Sequence, residues 1–341
     1  MYQENLIPLE DDAAWREALR HLPHALAHTP EYLKALSLSL HRGGGEERKK
    51  MWLYVFEGSE SRRVCPLLER EWNGYADVVT PYGFNGFCGG GDDPEFQVHW
   101  VNFAAARGWV CGYIGLNPVL PIPEESDQSS EKFDTGNHVY LVDLTRSEAQ
   151  LTESLSSNVK KRLREWRRSG ARIIDDQERA RRFFIDNYHD FTRRIGATEV
   201  YHFSQATLSE LAKIERVFLL GAEDEAGRLE AVSVFGHSDY CGEYLFNVSQ
   251  PEGRRHSAAL LWEGMLRLKF CGVPAVNLGG GVKAGDGLDQ FKARFGGLRR
   301  PLRALKQIYH RDAFISCCNQ AGVDPLATAD YFPPYRGRKR I

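Results

Sequence analysis

Two periodicities alternate along this chain, and their order sets out most of its architecture. Behind Asp11 and Asp12, acids suited to the positive end of a helix, AAWREALRHL places apolar residues at helical spacing. HTPEYLKALSLSLH offers Thr29 as N-cap, Pro30 at the first helical position and Glu31 after it. Strand-like runs at 51–57, 63–70 and 76–80 are separated by EGSES and WNGY, which predicts an antiparallel meander. TPYGFNGFCGGGDD (80–93) is too rich in small residues for strand or helix and predicts a loop. A helix is expected over 94–108, a strand over 109–116, a connector over 118–134 and a strand over 138–144.

One long helix from Thr145 or Ser147 to Gly170 is expected next, then a strand at 171–175 and helices at 179–196 and 204–214, the last capped by Ser204. Strands at 217–224, 229–238 and 243–249 are joined by EAGR and DYCG, turns with the glycine that hairpins use. An amphipathic helix over 257–270, with Leu260, Leu261, Met265 and Leu268 on one face, stops at Gly272. A short strand then enters NLGGGVKAGDGLDQFKARFGG (277–297), in which three glycines and a second turn lead to a helix bearing Phe291, Lys292 and Phe295. Glycines let a backbone approach a ligand closely, and a helix beginning after such a turn points free N–H groups at that spot. The same residues also fit a plain structural turn. A strand at 302–309 and a helix at 311–321 follow, and the tail YFPPYRGRKRI reads as too proline-rich and basic for a core.

Length and charge narrow the class. A chain of 341 residues exceeds one comfortable core, so two domains are expected. With 42% hydrophobic and 26% charged residues it has the composition of an ordinary globular protein, and a net charge of −2 argues against bulk nucleic-acid binding while leaving room for a local basic face. No apolar run approaches the roughly 20 residues of a membrane span, and MYQENLIPLEDDAAW lacks the layout of a secretory signal, so a cytoplasmic protein is expected. Seven scattered cysteines without a CxxC indicate neither a zinc site nor a disulfide framework, and no metal is expected.

The order of elements over 145–310 resembles the GNAT acyltransferase fold. In that fold the loop between the fourth strand and the next helix holds the donor's pyrophosphate on backbone amides. Here the loop is Gln250-Pro-Glu-Gly253-Arg254-Arg255-His256, a partial match to Q/R-x-x-G-x-G/A in which Arg255 occupies the second glycine position. A narrower resemblance rests on three motifs: SSNVKKRLR (156–164), the strand entering LGGG, and GLDQFKARFGG. With PLLER…TPYGFNG (66–86), this set is similar to FemAB-type and BioF2-like (CelD-type) acetyltransferase domain proteins.

The resemblance implies an α/β (α+β) fold of two tandem GNAT-like domains, each a mixed, mostly antiparallel sheet flanked by helices. The first would span 1–144 and be completed by about 311–341, and the second would span 145–310. It further implies an N-acyltransferase, moving an acetyl or aminoacyl group from acyl-CoA or aminoacyl-tRNA to an amine on an activated sugar, a peptidoglycan precursor or another envelope glycan. No permanently bound cofactor is implied. Phe291-Lys292 matches the family's reaction-centre pair, with Lys292 stabilising the oxyanion or the ester being broken, and Arg194 matches a substrate-phosphate arginine beside Arg193.

The remaining candidates are read from the residues. Tyr244 sits mid-strand, where the resemblance implies a proton-relay tyrosine and a half-buried strand tyrosine fits equally; Tyr82 and Phe84 are apolar walls of an acceptor pocket; Gly279, Gly280 and Gly281 supply clearance. Asp286 and Asp289 are placed to orient Lys292 or to accept an amine proton, and His256 reads as a helix-start residue rather than a base. Lys160 and Lys161, with Arg162, Arg164, Arg167 and Arg168 around Trp166, form either a solvated helix face or a surface for donor phosphates such as those of tRNA. The other function class is a catalytically silent GNAT-like scaffold that binds a nucleotide-sugar or RNA.

Overall fold

The computed structural model describes residues 2–40, 49–91, 94–120, 132–326 and 331–337. Chain order begins with β1 (Gln3–Pro8), α1 (Asp12–Leu19), α2 (Pro30–Ser37), β2 (Lys49–Glu57), β3 (Arg62–Trp72), β4 (Tyr75–Val79) and β5 (Cys88–Gly90). Next come α3 (Phe96–Ala106), β6 (Trp109–Gly115), β7 (Lys132–Asp143), α4 (Glu148–Ser154), α5 (Ser157–Arg167), β8 (Arg172–Ile174), α6 (Gln177–Arg194) and α7 (Gln205–Leu211). The chain continues through β9 (Val217–Glu223), β10 (Leu229–His237), β11 (Gly242–Ser249), α8 (Ser257–Phe270) and β12 (Ala275–Asn277) to α9 (Gly287–Ala293), β13 (Leu298–Ile308) and α10 (Arg311–Ala321). No described helix is long and apolar enough to cross a membrane.

These elements form two compact units, Met1–Leu33, Gly43–Thr135 and Leu302–Ile341 in one, Lys34–Arg42 and Gly136–Pro301 in the other. The divisions fall before the 144/145 and 310/311 positions expected from sequence. The reason is strand pairing: β7 pairs with β12 inside the second unit, and the end of β13 pairs with β6 inside the first.

In the first unit the sheet order is β1-β2-β3-β4-β6-β13, with β5 on the side of β3. Its core gathers Tyr54, Phe56, Phe87, Phe96, Trp100 and Trp109. Two expectations fail here. The small-residue run at 80–93 contains a strand, because Gly89 adopts φ +118° and lets β5 lie against Arg62, whose carbonyl a Cβ would meet at 2.1 Å. The C-terminal tail is also core. Tyr335 packs with Val110, Cys111, Phe314 and Cys317, and Arg336 joins Arg70 on Asp77, a carboxylate only 1% exposed. A buried carboxylate needs cationic or hydrogen-bonding partners, and the basic tail provides one.

The second unit has sheet order β7-β12-β11-β10-β9-β8, antiparallel except for β11 beside β12. That parallel pairing comprises Gly242–Val276 and Glu243–Asn277; β12 ends there while β11 continues to Ser249. Opposite β10, the register shifts between Tyr244 and Phe246, so Leu245 is the extra residue of a bulge. The expected single helix over 145–170 is two. Ser147 accepts from Gln150 N and Ser156 from Val159 N, each starting its own helix. Helix α8 buries Leu260, Leu261, Met265 and Leu268 in the core with Phe235, Val276 and Leu278.

Helix α8 can lie this close to the sheet only because of Gly264. A Cβ there would sit 2.0 Å from the Phe235 ring. Gly264→Ala is therefore expected to cost about 1–3 kcal/mol by overpacking, read as a lower urea midpoint with unchanged slope.

Candidate active site

The glycine loop is assembled from its two ends. At its start, Asn277 Oδ1 accepts from Gly279 N at 2.8 Å, and Gly279 turns with φ +70°. Gly280 then lies flat on β7, where a Cβ would sit 1.9 Å from His138 O. At the far end Asp286 organises the second turn. Its Oδ2 accepts from Val282 N (2.7 Å) and Lys283 N (2.9 Å), and its Oδ1 accepts from Asp289 N (2.8 Å), capping α9. These N–H groups hold its carboxyl below the usual carboxylate range. Both oxygens of Asp286 are thus engaged in shaping the loop.

The cap orients α9 so that Lys292 points inward. Its side chain is 8% exposed, Nζ donates to Gly280 O at 2.8 Å, and Nζ lies 5.9 Å from the centroid of the Tyr244 ring. Gly279 leaves room for the ammonium, since a Cβ there would come within 2.8 Å of Nζ. Burial lowers the Lys292 pKa to about 8, opposed by Asp286 and Asp289. At neutral pH the site therefore holds a largely protonated cation that is only partly solvated, the kind of charge that stabilises a developing oxyanion strongly.

Beside it stands a group the sequence reading had not assembled. Arg299 donates to His138 Nδ1 at 3.0 Å, so Nε2 carries the imidazole proton. That Nε2 lies 2.7 Å from Asp289 Oδ1 and 3.2 Å from the Tyr140 hydroxyl. Oδ1 has no aligned donor, so the close approach is an electrostatic contact more than a formed hydrogen bond. Asp289 Oδ2 accepts from Gly285 N at 2.7 Å. Burial opposes ionisation of Asp289, but the Gly285 N–H, the Tyr140 hydroxyl and His138 outweigh it and set its pKa below the usual value. His138 and Tyr140 alternate on β7, a pattern that in sequence reads only as a half-buried strand.

The other expected residues divide. Tyr244 packs on Phe235 with ring centroids 5.3 Å apart, and burial pushes its phenol up to about 12, opposed by a hydrogen bond with Ser233. It stays a neutral phenol at working pH. Phe291 stands edge-on to Phe295 at the margin of the core and anchors α9. Arg194 donates to Ser249 O, tying the end of α6 to the end of β11. Tyr82 and Phe84 belong to the first unit, in the half-buried turn before β5.

The loop expected to hold donor phosphates is largely occupied with its own structure. Gly253 is required by β10, because a Cβ would meet Glu230 O at 2.1 Å, and Gln250 Nε2 donates to Asn187 Oδ1. Arg255 Nη2 pairs with Glu230 Oε2 at 3.0 Å, while Arg254 is exposed. Trp166 Nε1 donates to His256 Nδ1 at 2.9 Å, so His256 donates through Nε2 to Glu230 at 3.0 Å. His256, fully buried, locks the start of α8 to α5. Lys160 Nζ donates to Glu153 O and Lys161 lies 3.7 Å from Glu165, on the solvent side of α5.

Sequence reasoning also passed over Glu243. It is 2% exposed, both its oxygens are buried without a hydrogen-bond partner among the described residues, and burial raises its pKa to about 8. Its register partner Asn277 is fully buried, and the Asn277 Nδ2 likewise has no partner. A lone glutamate at the start of a strand carries no signal in one sequence; only the sheet register joins it to Asn277.

No family model matches this chain, and no curated protein matches it. Among solved structures the chain is similar to one described as the crystal structure of FemX, at 12% identity, covering 92% of this chain and 99% of that one with a TM-score of 0.65. It is also similar to the C-terminal domain of a putative lysylphosphatidylglycerol synthetase from Agrobacterium fabrum (15% identity, 91% and 96% covered, TM-score 0.56). A third is L-PGS from Bacillus licheniformis (13% identity, 89% and 93% covered, TM-score 0.54). The chain thus has a FemX-like fold with two mixed α/β units.

Proposed function

We propose that this FemX-like chain is an N-acyltransferase that moves an acyl or aminoacyl group from an activated ester or thioester to an amine. The observation that carries the reading is Lys292, a buried ammonium held on Gly280 O at the end of a glycine loop that keeps side chains away from it. Aminolysis passes through a tetrahedral oxyanion. A preorganised cation in a site of low polarity stabilises that charge without reorganising. Asp286 and Asp289 favour the protonated form of Lys292, and Asp289, in contact with His138, holds the second turn through Gly285 N.

The donors in view are acyl-CoA and aminoacyl-tRNA, and the acceptors are amines of an activated sugar, a peptidoglycan precursor or another envelope glycan, handled in the cytoplasm. The likeness to FemX and to lysylphosphatidylglycerol synthetases favours aminoacyl transfer. The exposed basic face of α5 suits tRNA phosphates. The internally occupied loop at Gln250–His256 weighs against acyl-CoA held in the usual GNAT manner. A silent scaffold binding a nucleotide-sugar or RNA is the competing reading.

Mass spectrometry of acceptor amines incubated with the protein and each donor tests the proposal; acylated product is expected with one donor class, and none with any donor would overturn it. The pH dependence carries a signature. Lys292 acts as a cation, so kcat/KM is expected to fall as it deprotonates above about pH 8. A rate that keeps rising through pH 9.5 would remove Lys292 from this role.

A further inference from the structure

Every buried polar group in a folded chain normally has a partner, so adjacent groups without one ask for an occupant. Glu243 and Asn277 are such a pair. They are 2% and 0% exposed, they face each other across β11 and β12, and both Glu243 oxygens and Asn277 Nδ2 lack hydrogen bonds among the described residues. Directly paired strand residues project to one face of a sheet, so the carboxyl and the amide share a face. Together they offer acceptors and a donor side by side.

Resting on the acyl-transfer reading, we propose that Glu243 and Asn277 receive the acceptor amine. Glu243 takes its proton, and Asn277 donates to an oxygen beside the nitrogen. The acceptor class is then a primary amine with a neighbouring hydroxyl or ether oxygen, as in an amino sugar.

Position supports this. Glu243–Asn277 is the last rung before β12 ends, and Tyr244, next on β11, projects to the opposite face, where its ring lies 5.9 Å from Lys292 Nζ. The carboxyl–amide pair and the lysine thus flank the end of β12 from its two faces. Asn277 links the two, because its Oδ1 holds Gly279 N beside Lys292 while its Nδ2 is left for ligand. A carboxyl whose buried pKa stands near 8 is also matched to removing a proton from an ammonium ion close to neutrality.

The step balances. The Glu243 carboxylate takes one proton from R–NH3+, and the resulting amine attacks the acyl carbon. The C–N bond forms, the C–O or C–S bond breaks, and the amine's second proton leaves with the departing alcohol or thiol.

Calorimetric titration of the full chain with glucosamine at pH 7, where its amine is mostly protonated, tests the site, with N-acetylglucosamine as the amine-free control. Wild type is expected to bind glucosamine and not the control, and Glu243→Gln to weaken binding about 10- to 100-fold. With a donor the wild type accepts, Glu243→Gln is expected to lower kcat on glucosamine about 10²- to 10⁴-fold, and on hydroxylamine, already unprotonated, by less than about tenfold. Equal losses on both nucleophiles, or glucosamine binding indifferent to Glu243, would overturn the amine site. Glutamate-dependent binding with no transfer from any donor would instead overturn the transferase reading and keep the amine site.

Discussion

Lys292→Met is expected to lower turnover by about 10²- to 10³-fold, the usual effect of removing one oxyanion-stabilising group. Methionine suits the test because it retains the length and apolar stem of lysine in a slot only 8% exposed, and it removes just the charge and the bond to Gly280 O. Stability is not expected to fall, since burial already disfavours the ammonium there. The sign follows from that lowered pKa. The unfolded chain holds the Lys292 proton more tightly than the folded one, so this residue subtracts stability below about pH 8 and the deficit disappears as pH rises through 10.5. Single-turnover kinetics on the variant, beside its urea midpoint, separate chemistry from folding. Turnover and ligand affinity both unchanged would remove Lys292 from the catalytic role.

Glu243→Gln is expected to stabilise the protein by on the order of 3 kcal/mol at pH 7. Burial raises the Glu243 pKa from 4.5 to about 8. The unfolded chain ionises this group from about pH 4.5 upward while the folded protein keeps it protonated, so wild-type stability declines across the window from 4.5 to 8 and levels off above it. Glutamine is neutral throughout and similar in shape, so the gain should vanish below pH 4.5. Paired urea titrations at pH 4, 7 and 8.5 measure it, and a gain that does not depend on pH would show that Glu243 is not the source. A residue that weakens the fold and binds nothing within it is the pattern expected where stability has been traded for a ligand site.

Much of the fold can be read from periodicity. The three strands β9 to β11 with glycine turns, helix α8 and helix α10 follow from local pattern, because each has an unbroken apolar repeat bounded by Gly or by a capping side chain. The break between α4 and α5 was also written locally, in Ser156, but charge repeated along the segment masks it. β5 and the buried tail were not readable. Their placement depends on partners distant in sequence: the backbone of Arg62 and Arg63 for one, Asp77 and Cys111 for the other.

The same division holds at the site. Sequence alone determined the glycine loop and the short helix bearing Lys292 that follows it, since glycines and helical phase act within a dozen residues, while the Asp286 cap and the inward turn of Lys292 became visible in the structure. It also supplied the order of elements that the FemX-like fold shares. Tertiary structure alone decided that Arg299 meets His138 and His138 meets Asp289, that Arg255 of the expected phosphate loop is spent on Glu230, and that Glu243 faces Asn277. The reason is strand register. Residues far apart in sequence become neighbours only when strands pair, and a shift of one residue would turn Glu243 to the other face of the sheet.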